Sequence, residues 1–475
     1  MKIRANLIKI VYAIIAPLLL QGCGDYFDLN DNPNLVQNPP INALLSTATQ
    51  KAGLNTQRFG ALDAPYVQYT ASPTAGAASD TYQITDNSSQ WNNVYYAMSD
   101  LYDMINKAKE LGATDHQAVG ELLLAYQLGF VADTWGSAPY SEALGASKVL
   151  TPAFDSEESL YQTSLKLIDE SIALLNKTDA TVTLDSANDL IHQGKKAAWI
   201  KTAYGIKSRF LNKVSKKSSY DPNSVLSALE SSYASEADEA KMGLFDGNNP
   251  WAQLAIDNNN QLLGGWLSDN FINHLNGTKY GIVDPRISKI TDKTVNGDYV
   301  GTRNGQGNVG AANTIHDECY ISLNSILTNK TAPIYILTFA ELKLIEAEAA
   351  FRAGDKFRAY TAYLAGIKSN MDKLGVATAD RDAYMKNPMV AVGSSNLTLD
   401  LIFKEKYVVT YLSPEAWNDM RRHDYEYKDF QMPVGASSYL PNFIRRIAYP
   451  ADERNENGSN VPPEFSLDSP LWWDQ

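Results

Sequence analysis

From Trp91 onward, apolar side chains recur every three or four positions: Trp91, Val94, Tyr95, Met98, Leu101, Tyr102 and Ile105. At about 100° of turn per residue these positions fall on one stripe, so the spacing predicts an amphipathic helix. The same period returns over Val119–Thr134, Ser159–Leu175 and Lys195–Val214, and later over Leu337–Arg352, Lys356–Leu374 and Leu399–Leu412. Trp91 and Trp199 sit at core spacing and are expected to be structural. Strand-like alternation is short and scattered. The pattern predicts a mostly α fold, a tetratricopeptide-like superhelix of helical pairs with long irregular loops and little strand. Helical repeats are expected over about 91–235 and 335–425.

One helical pair carries a repeat signature. Ala350-Phe351-Arg352-Ala353-Gly354-Asp355 is followed by Ala359, Tyr363, Gly366 and Ile367. Gly354 lets the chain reverse, small residues let two helices approach, and the aromatic fills the remaining gap. Such scaffolds present a surface to a partner rather than perform chemistry.

Between the helical blocks, residues 245–331 are rich in Gly and Asn, with Asn248-Asn249-Pro250-Trp251, Asp257-Asn258-Asn259-Asn260, Gly264-Gly265-Trp266 and Gly301-Thr302-Arg303-Asn304-Gly305. A shorter polar stretch, residues 71–90, contains Tyr82. Loops this long in a compact protein carry function or are disordered, and embedded aromatics argue for order. Sugar rings stack their apolar faces on aromatic side chains, and their hydroxyls pair with Asn, Asp, Gln and Arg. Trp251, Trp266, Asn258, Asn259, Tyr82 and Arg303 are therefore the candidate ligand-binding residues. Peptides could use the same groups.

The chain opens with Lys2, Arg4 and Lys9, then the apolar run Ile10–Leu20, ending at Gln21-Gly22-Cys23. The run is short of the roughly 20 residues a membrane span needs and is broken by Pro17, so residues 1–22 are expected to be a signal peptide. Leu20-Gln21-Gly22-Cys23 resembles a lipobox, with Gln21 in place of the usual small residue; the expectation is acylation of Cys23. Residues 23–40 then form a polar tether, and 41–475 a single domain closing with an irregular segment, 426–475. Asp28-x-Asn30-x-Asn32 begins like a calcium loop, but Pro33 occupies the sixth position and Pro39 the twelfth, where Gly and Glu are required.

Charge and composition narrow the function. The 475 residues hold 41 Lys and Arg against 54 Asp and Glu, a net charge of −13, which loss of the leader's three cations makes more negative. Such a surface repels phosphate backbones, so no nucleic-acid partner is expected. The lysines at 213, 216 and 217 are expected on a solvated face. Cys319 has no partner for an internal disulfide once Cys23 is acylated. No phosphate cradle, nucleophile elbow, HExxH or CxxC stands in the sequence, and neither a cofactor nor a metal is expected. His316-Asp317-Glu318-Cys319 is the one dense group of potential ligands, but sequence neighbours converge poorly on one ion. Glu341, Glu346 and Glu348 are expected as solvated helix charges. A glycosidase would need two carboxylates about 5–10 Å apart across a cleft; nothing in the sequence singles out a pair.

Lipobox, tether and helices together resemble the SusD/RagB family of outer-membrane nutrient-binding lipoproteins, and more closely its second SusD-like branch. The most specific piece is Leu128-Gly129-Phe130-Val131-Ala132-Asp133-Thr134-Trp135-Gly136-Ser137-Ala138-Pro139-Tyr140, joined by Asp284-Pro285-Arg286, Glu415-Ala416-Trp417-Asn418-Asp419-Met420-Arg421-Arg422, Arg445-Arg446-Ile447-Ala448-Tyr449-Pro450 and Leu471-Trp472-Trp473-Asp474. These are scaffold signatures rather than site residues. The resemblance implies a non-catalytic binder on the surface of a Gram-negative bacterium. It would be moored in the outer membrane through acylated Cys23 and pass an oligosaccharide, or a peptide, to a SusC-like TonB-dependent transporter. The alternatives are a surface glycan-degrading hydrolase and a protein-binding helical scaffold.

Overall fold

The computed structural model describes residues 38–145, 149–259, 264–310, 316–463 and 465–475. Cys23, the leader and nearly all of the tether lie outside the described residues. Six helices come first: α1 (Ile41–Asp63), α2 (Ser88–Leu111), α3 (Thr114–Thr134), α4 (Glu157–Leu175), α5 (Lys196–Lys213) and α6 (Pro222–Glu230). Three short ones follow, α7 (Pro250–Asn259), α8 (Asp269–Leu275) and α9 (Ile287–Ile290). The chain then forms α10 (Phe339–Arg352), α11 (Lys356–Lys373), α12 (Thr378–Lys386), α13 (Leu399–Val409), α14 (Glu415–Arg422) and α15 (Ala451–Glu456). Strand among the described residues is confined to three two-stranded ladders, all antiparallel: Thr70–Ala71 with Trp266–Leu267, Ala138–Pro139 with Phe154–Asp155, and Ala240–Met242 with Ile334–Leu337. The mostly helical expectation is borne out, and each helix predicted from periodicity is present within a few residues of its expected ends.

Successive helices pack on one another, α2 on α3, α3 on α4, α4 on α5 and α5 on α6, and α10 returns against α5, α6 and α13. Helix α3 is the centre. From Ala118 to Thr134 every residue is buried, the mark of a helix enclosed on all sides. Gly129 permits this closeness, since a Cβ there would lie 2.8 Å from Phe210. In the α10–α11 hairpin Gly354 takes φ +86° and Asp355 caps α11 by accepting from the Arg358 N–H at 2.9 Å. Ala359, Tyr363, Gly366 and Ile367 are all buried, as the tetratricopeptide pattern requires.

The sequence signatures meet in space at the end of α3. Arg421 donates to the Asp133 carbonyl at 2.6 Å, the Ile447 N–H to the Thr134 carbonyl at 3.1 Å, and the Trp135 indole to the Ala448 carbonyl at 3.2 Å. The Asp133 and Thr134 carbonyls would otherwise be orphans of a buried helix terminus. Gly136 follows at φ +92°, and Trp135 packs edge-on against Trp91 and Phe59.

Several charges expected on solvated faces are inside. Glu341 and Glu348 are buried: Glu341 takes both branches of Arg209 at 2.8 and 2.9 Å, and Glu348 accepts from Arg422 at 2.6 and 3.0 Å and from Lys406 at 2.9 Å. Lys213 is buried too and donates to Asp133 at 2.5 Å. The helix period reports which face is covered but not that charges on a covered face can satisfy one another. Burial opposes ionisation of Glu348, yet Arg422 and Lys406 outweigh it and hold the carboxyl well below its usual range.

Candidate functional site

The six candidate residues separate into two groups. Trp251 was expected in a loop; it lies in the first turn of α7 and is buried. Asn249 accepts from the Trp251 N–H at 2.7 Å, and Asn followed by Pro at the first helical position starts a helix. Trp266, also expected in a loop, is in a strand and fully buried. Its indole N–H donates to Asn258 Oδ1 at 2.8 Å and its ring lies 4.6 Å from Tyr320. Asn258 is buried as well, so Trp251, Trp266 and Asn258 turn inward and brace the loop region. The backbone of Asn259 ends α7, and its side chain lies outside the described residues.

Tyr82 and Arg303 belong to loops that are knitted together. The Gly76 N–H donates to the Gly305 carbonyl at 2.9 Å, the Asn308 N–H to the Pro73 carbonyl at 2.9 Å and the Val434 N–H to the Asn304 carbonyl at 2.9 Å. Arg303 donates to Gln431 Oε1 at 2.7 Å and stands 3.7 Å from Asp269. Three loops, residues 72–87, 301–310 and 429–440, thereby form one edge. At its centre Asp80, 1% exposed, accepts from the backbone N–H groups of Ser72 (2.9 Å) and Gly305 (3.0 Å). Burial raises its carboxyl to about 6 against these hydrogen bonds, which pull the other way. Gly305 is required here: it has φ +78°, and a Cβ would lie 2.1 Å from the Val434 carbonyl oxygen.

Beside this edge opens a cleft of about 450 Å³. One wall is Tyr82-Gln83-Ile84, and another is Tyr439-Leu440; the C-terminal segment supplies the remainder, including Arg446, Tyr449 and Phe465. The volume lies within the range of small-ligand sites. Its rim leaves large apolar side chains in water: Ile84 is 65% exposed, Tyr439 58% and Phe465 50%. The Arg446 guanidinium lies 4.7 Å from the centre of the Phe465 ring, while its Nη2 reaches Glu157 at 3.3 Å and the Trp135 carbonyl, which holds the floor still. Tyr449 donates to the Ser137 carbonyl at 2.8 Å. Tyr82 is buried with φ +59°, and its hydroxyl has no hydrogen-bond partner among the described residues. Gln68, Tyr425 and Asp429 also take positive φ, at 54°, 58° and 53°. Such conformations in side-chained residues cost on the order of 1–3 kcal/mol each and concentrate where ligands are held.

Tyr439 and Phe465 were missed from sequence. Both stand in aperiodic stretches, Ser437-Ser438-Tyr439 and Pro462-Pro463 ahead of Phe465, where no helical pattern assigns an aromatic to the core. That lack of periodicity was the available signal. No group of three or more His, Cys, Asp or Glu among the described residues is arranged to hold a metal ion, and no described helix is long and apolar enough to cross a membrane.

This helical body has known counterparts. Residues 33–450 match the second SusD-like family, described as starch-binding and associating with the outer membrane, and the chain belongs to that family. A SusD/RagB family protein from Bacteroides thetaiotaomicron superposes with a TM-score of 0.75 at 19% identity, over 92% of this chain and 99% of that one. A chitin-binding SusD homologue from Flavobacterium johnsoniae gives 0.75 at 22%, over 91% and 98%. A SusD homologue from Bacteroides ovatus gives 0.75 at 19%, over 92% and 99%. At these identities the likeness concerns the fold. No curated protein matches the sequence.

Proposed function

We propose that the protein is a non-catalytic receptor on the cell surface that binds an oligomeric nutrient, a glycan before a peptide, and delivers it to a SusC-like TonB-dependent outer-membrane transporter. The observation that carries this reading is the cleft, with Tyr439 and Phe465 standing in solvent at its mouth. Aromatic faces and adjacent donors match the two faces of a sugar ring. Tyr82 shapes the wall and Arg303 the neighbouring edge, while Trp251, Trp266 and Asn258 brace the loop region. Acyl chains on Cys23 moor the protein, at roughly 0.8 kcal/mol per buried CH₂, and residues 23–40 act as a tether, with 41–475 as one binding domain. Membership of a starch-binding, outer-membrane-associating family and the likeness to a chitin-binding homologue support a glycan over other nutrients.

Two experiments test the reading. The soluble form lacking residues 1–23 is titrated with starch and chitin oligosaccharides and with peptides; saturable binding without product formation is expected, and shortening of the oligosaccharide would make the protein a hydrolase. For the partner, the full chain is extracted in mild detergent. Co-purification with a large outer-membrane barrel is expected, and recovery only as free lipoprotein would contradict delivery.

A further inference from the structure

The edge beside the cleft is held by a carboxylate of unusual surroundings. Asp80 is buried, and its described partners are all neutral: the N–H groups of Ser72 and Gly305 on Oδ2, and the Ser79 hydroxyl on Oδ1 at 3.4 Å. The groups facing it are few. From its own loop come Ser72, Ser79 and the phenol of Tyr82, and from residues 301–310 come Asn304 and Gly305. Arg303, the cation of residues 301–310, is directed to Gln431 and Asp269. From residues 429–440 the backbone of Val434 reaches the junction. Among the described residues an ionised carboxylate here has no counter-charge, and burying one uncompensated is costly. Two residues further on, Tyr82 begins one cleft wall; five residues beyond Val434, Tyr439 begins another.

We propose that Asp80 is the positioning residue of the binding edge, a latch between residues 72–87 and 301–310 that holds most tightly when its carboxyl is protonated. The neutral acid keeps the carbonyl oxygen that accepts from Ser72 and Gly305 and sheds the uncompensated charge. Its ordinary value is 3.8 and burial raises it to about 6 in the folded protein. The native junction therefore binds the proton more tightly than the opened one. The stabilisation is complete below about pH 4 and is lost as pH rises through about 6. Ligand held by the cleft walls is bound more tightly in mild acid than in mild base. This last consequence rests on the binding reading above; the latch itself does not.

The test is hydrogen exchange on the soluble form lacking residues 1–23, without ligand, at pH 5 and pH 8, corrected for intrinsic exchange chemistry. The Ser72 and Gly305 amides, which donate to Asp80, are expected to lose about tenfold in protection from pH 5 to pH 8. In Asp80→Asn, which keeps an acceptor and cannot ionise, protection is expected to be the same at both. Equal protection of the wild type at the two pH values overturns the latch, as does an undiminished fall in Asp80→Asn. The wild-type measurement decides even if the variant does not fold. Failure of oligosaccharide titrations would remove the binding reading and leave this result standing.

Discussion

Two regions bury carboxylates and treat them in opposite ways. Among the helices, Glu348 and Glu405 each meet cations, Arg422 with Lys406 and Arg286 with Lys404. At the loop edge Asp80 meets, among the described residues, backbone and neutral side chains. Burial disfavours ionisation in both places; what differs is whether a fixed positive charge offsets it. Glu405 falls to about 2 because Arg286 and then Lys404 outweigh burial, while Asp80 rises to about 6. Glu348 and Glu405 are thus held charged inside the helical body, Glu341 rises to about 7 because burial outweighs Arg209 there, and Asp80, with no cation against it among the described residues, rises at the edge of the cleft.

The comparison breaks most visibly at Arg422. Replacing it by Met leaves Glu348 and Asp419 buried, with Lys406 bridging them and Arg352 also on Glu348, and the expected loss is about 3–5 kcal/mol in urea denaturation. Mild acid probes the same contrast without mutation. Glu405 is depressed from 4.5 to about 2, so its contribution is present above about pH 4.5 and lost as pH falls toward 2. A loss of about 3 kcal/mol from this group is expected on the way, and Glu405→Gln should flatten that part of the curve. The Asp80 edge has the opposite slope, gaining protection as pH falls from 8 to 5. At the cleft, Tyr439→Ala with Phe465→Ala is expected to weaken oligosaccharide binding about tenfold or more and to leave the thermal midpoint unchanged, both side chains being half in water. The smallest effect is at a helix start. Thr338 accepts from the Glu341 N–H at 3.2 Å, and Thr338→Ala should cost about 1 kcal/mol in the same urea assay with no effect on binding.

The body was legible in sequence because a covered helix face repeats every three or four residues and irregular loops do not. Lys356–Leu374 was expected and Lys356–Lys373 is found. The buried ion pairs were not legible: Arg209 and Glu341 are 132 positions apart, and the helix period does not say which charges will share an interior. The site was half legible. Residue type and loop context point to Tyr82 and Arg303, and the fold brings their loops together through Gly76, Gly305 and Asp80. The same grounds point to Trp251 and Trp266, which turn inward because Asn249-Pro250 starts a helix and the Trp266 indole donates to Asn258. The fold assembles the cleft wall from Tyr82 and Tyr439, 357 positions apart in the chain, and no local pattern foretells that pairing.

The most direct measurement is calorimetric titration of starch and chitin oligosaccharides into the soluble protein and its Tyr439→Ala, Phe465→Ala double variant. Saturable binding by the wild type, with no shortened product and with at least a tenfold loss in an equally stable variant, is the predicted result. A glycan that binds both proteins alike would place the site elsewhere, and one that is cleaved would make the protein an enzyme.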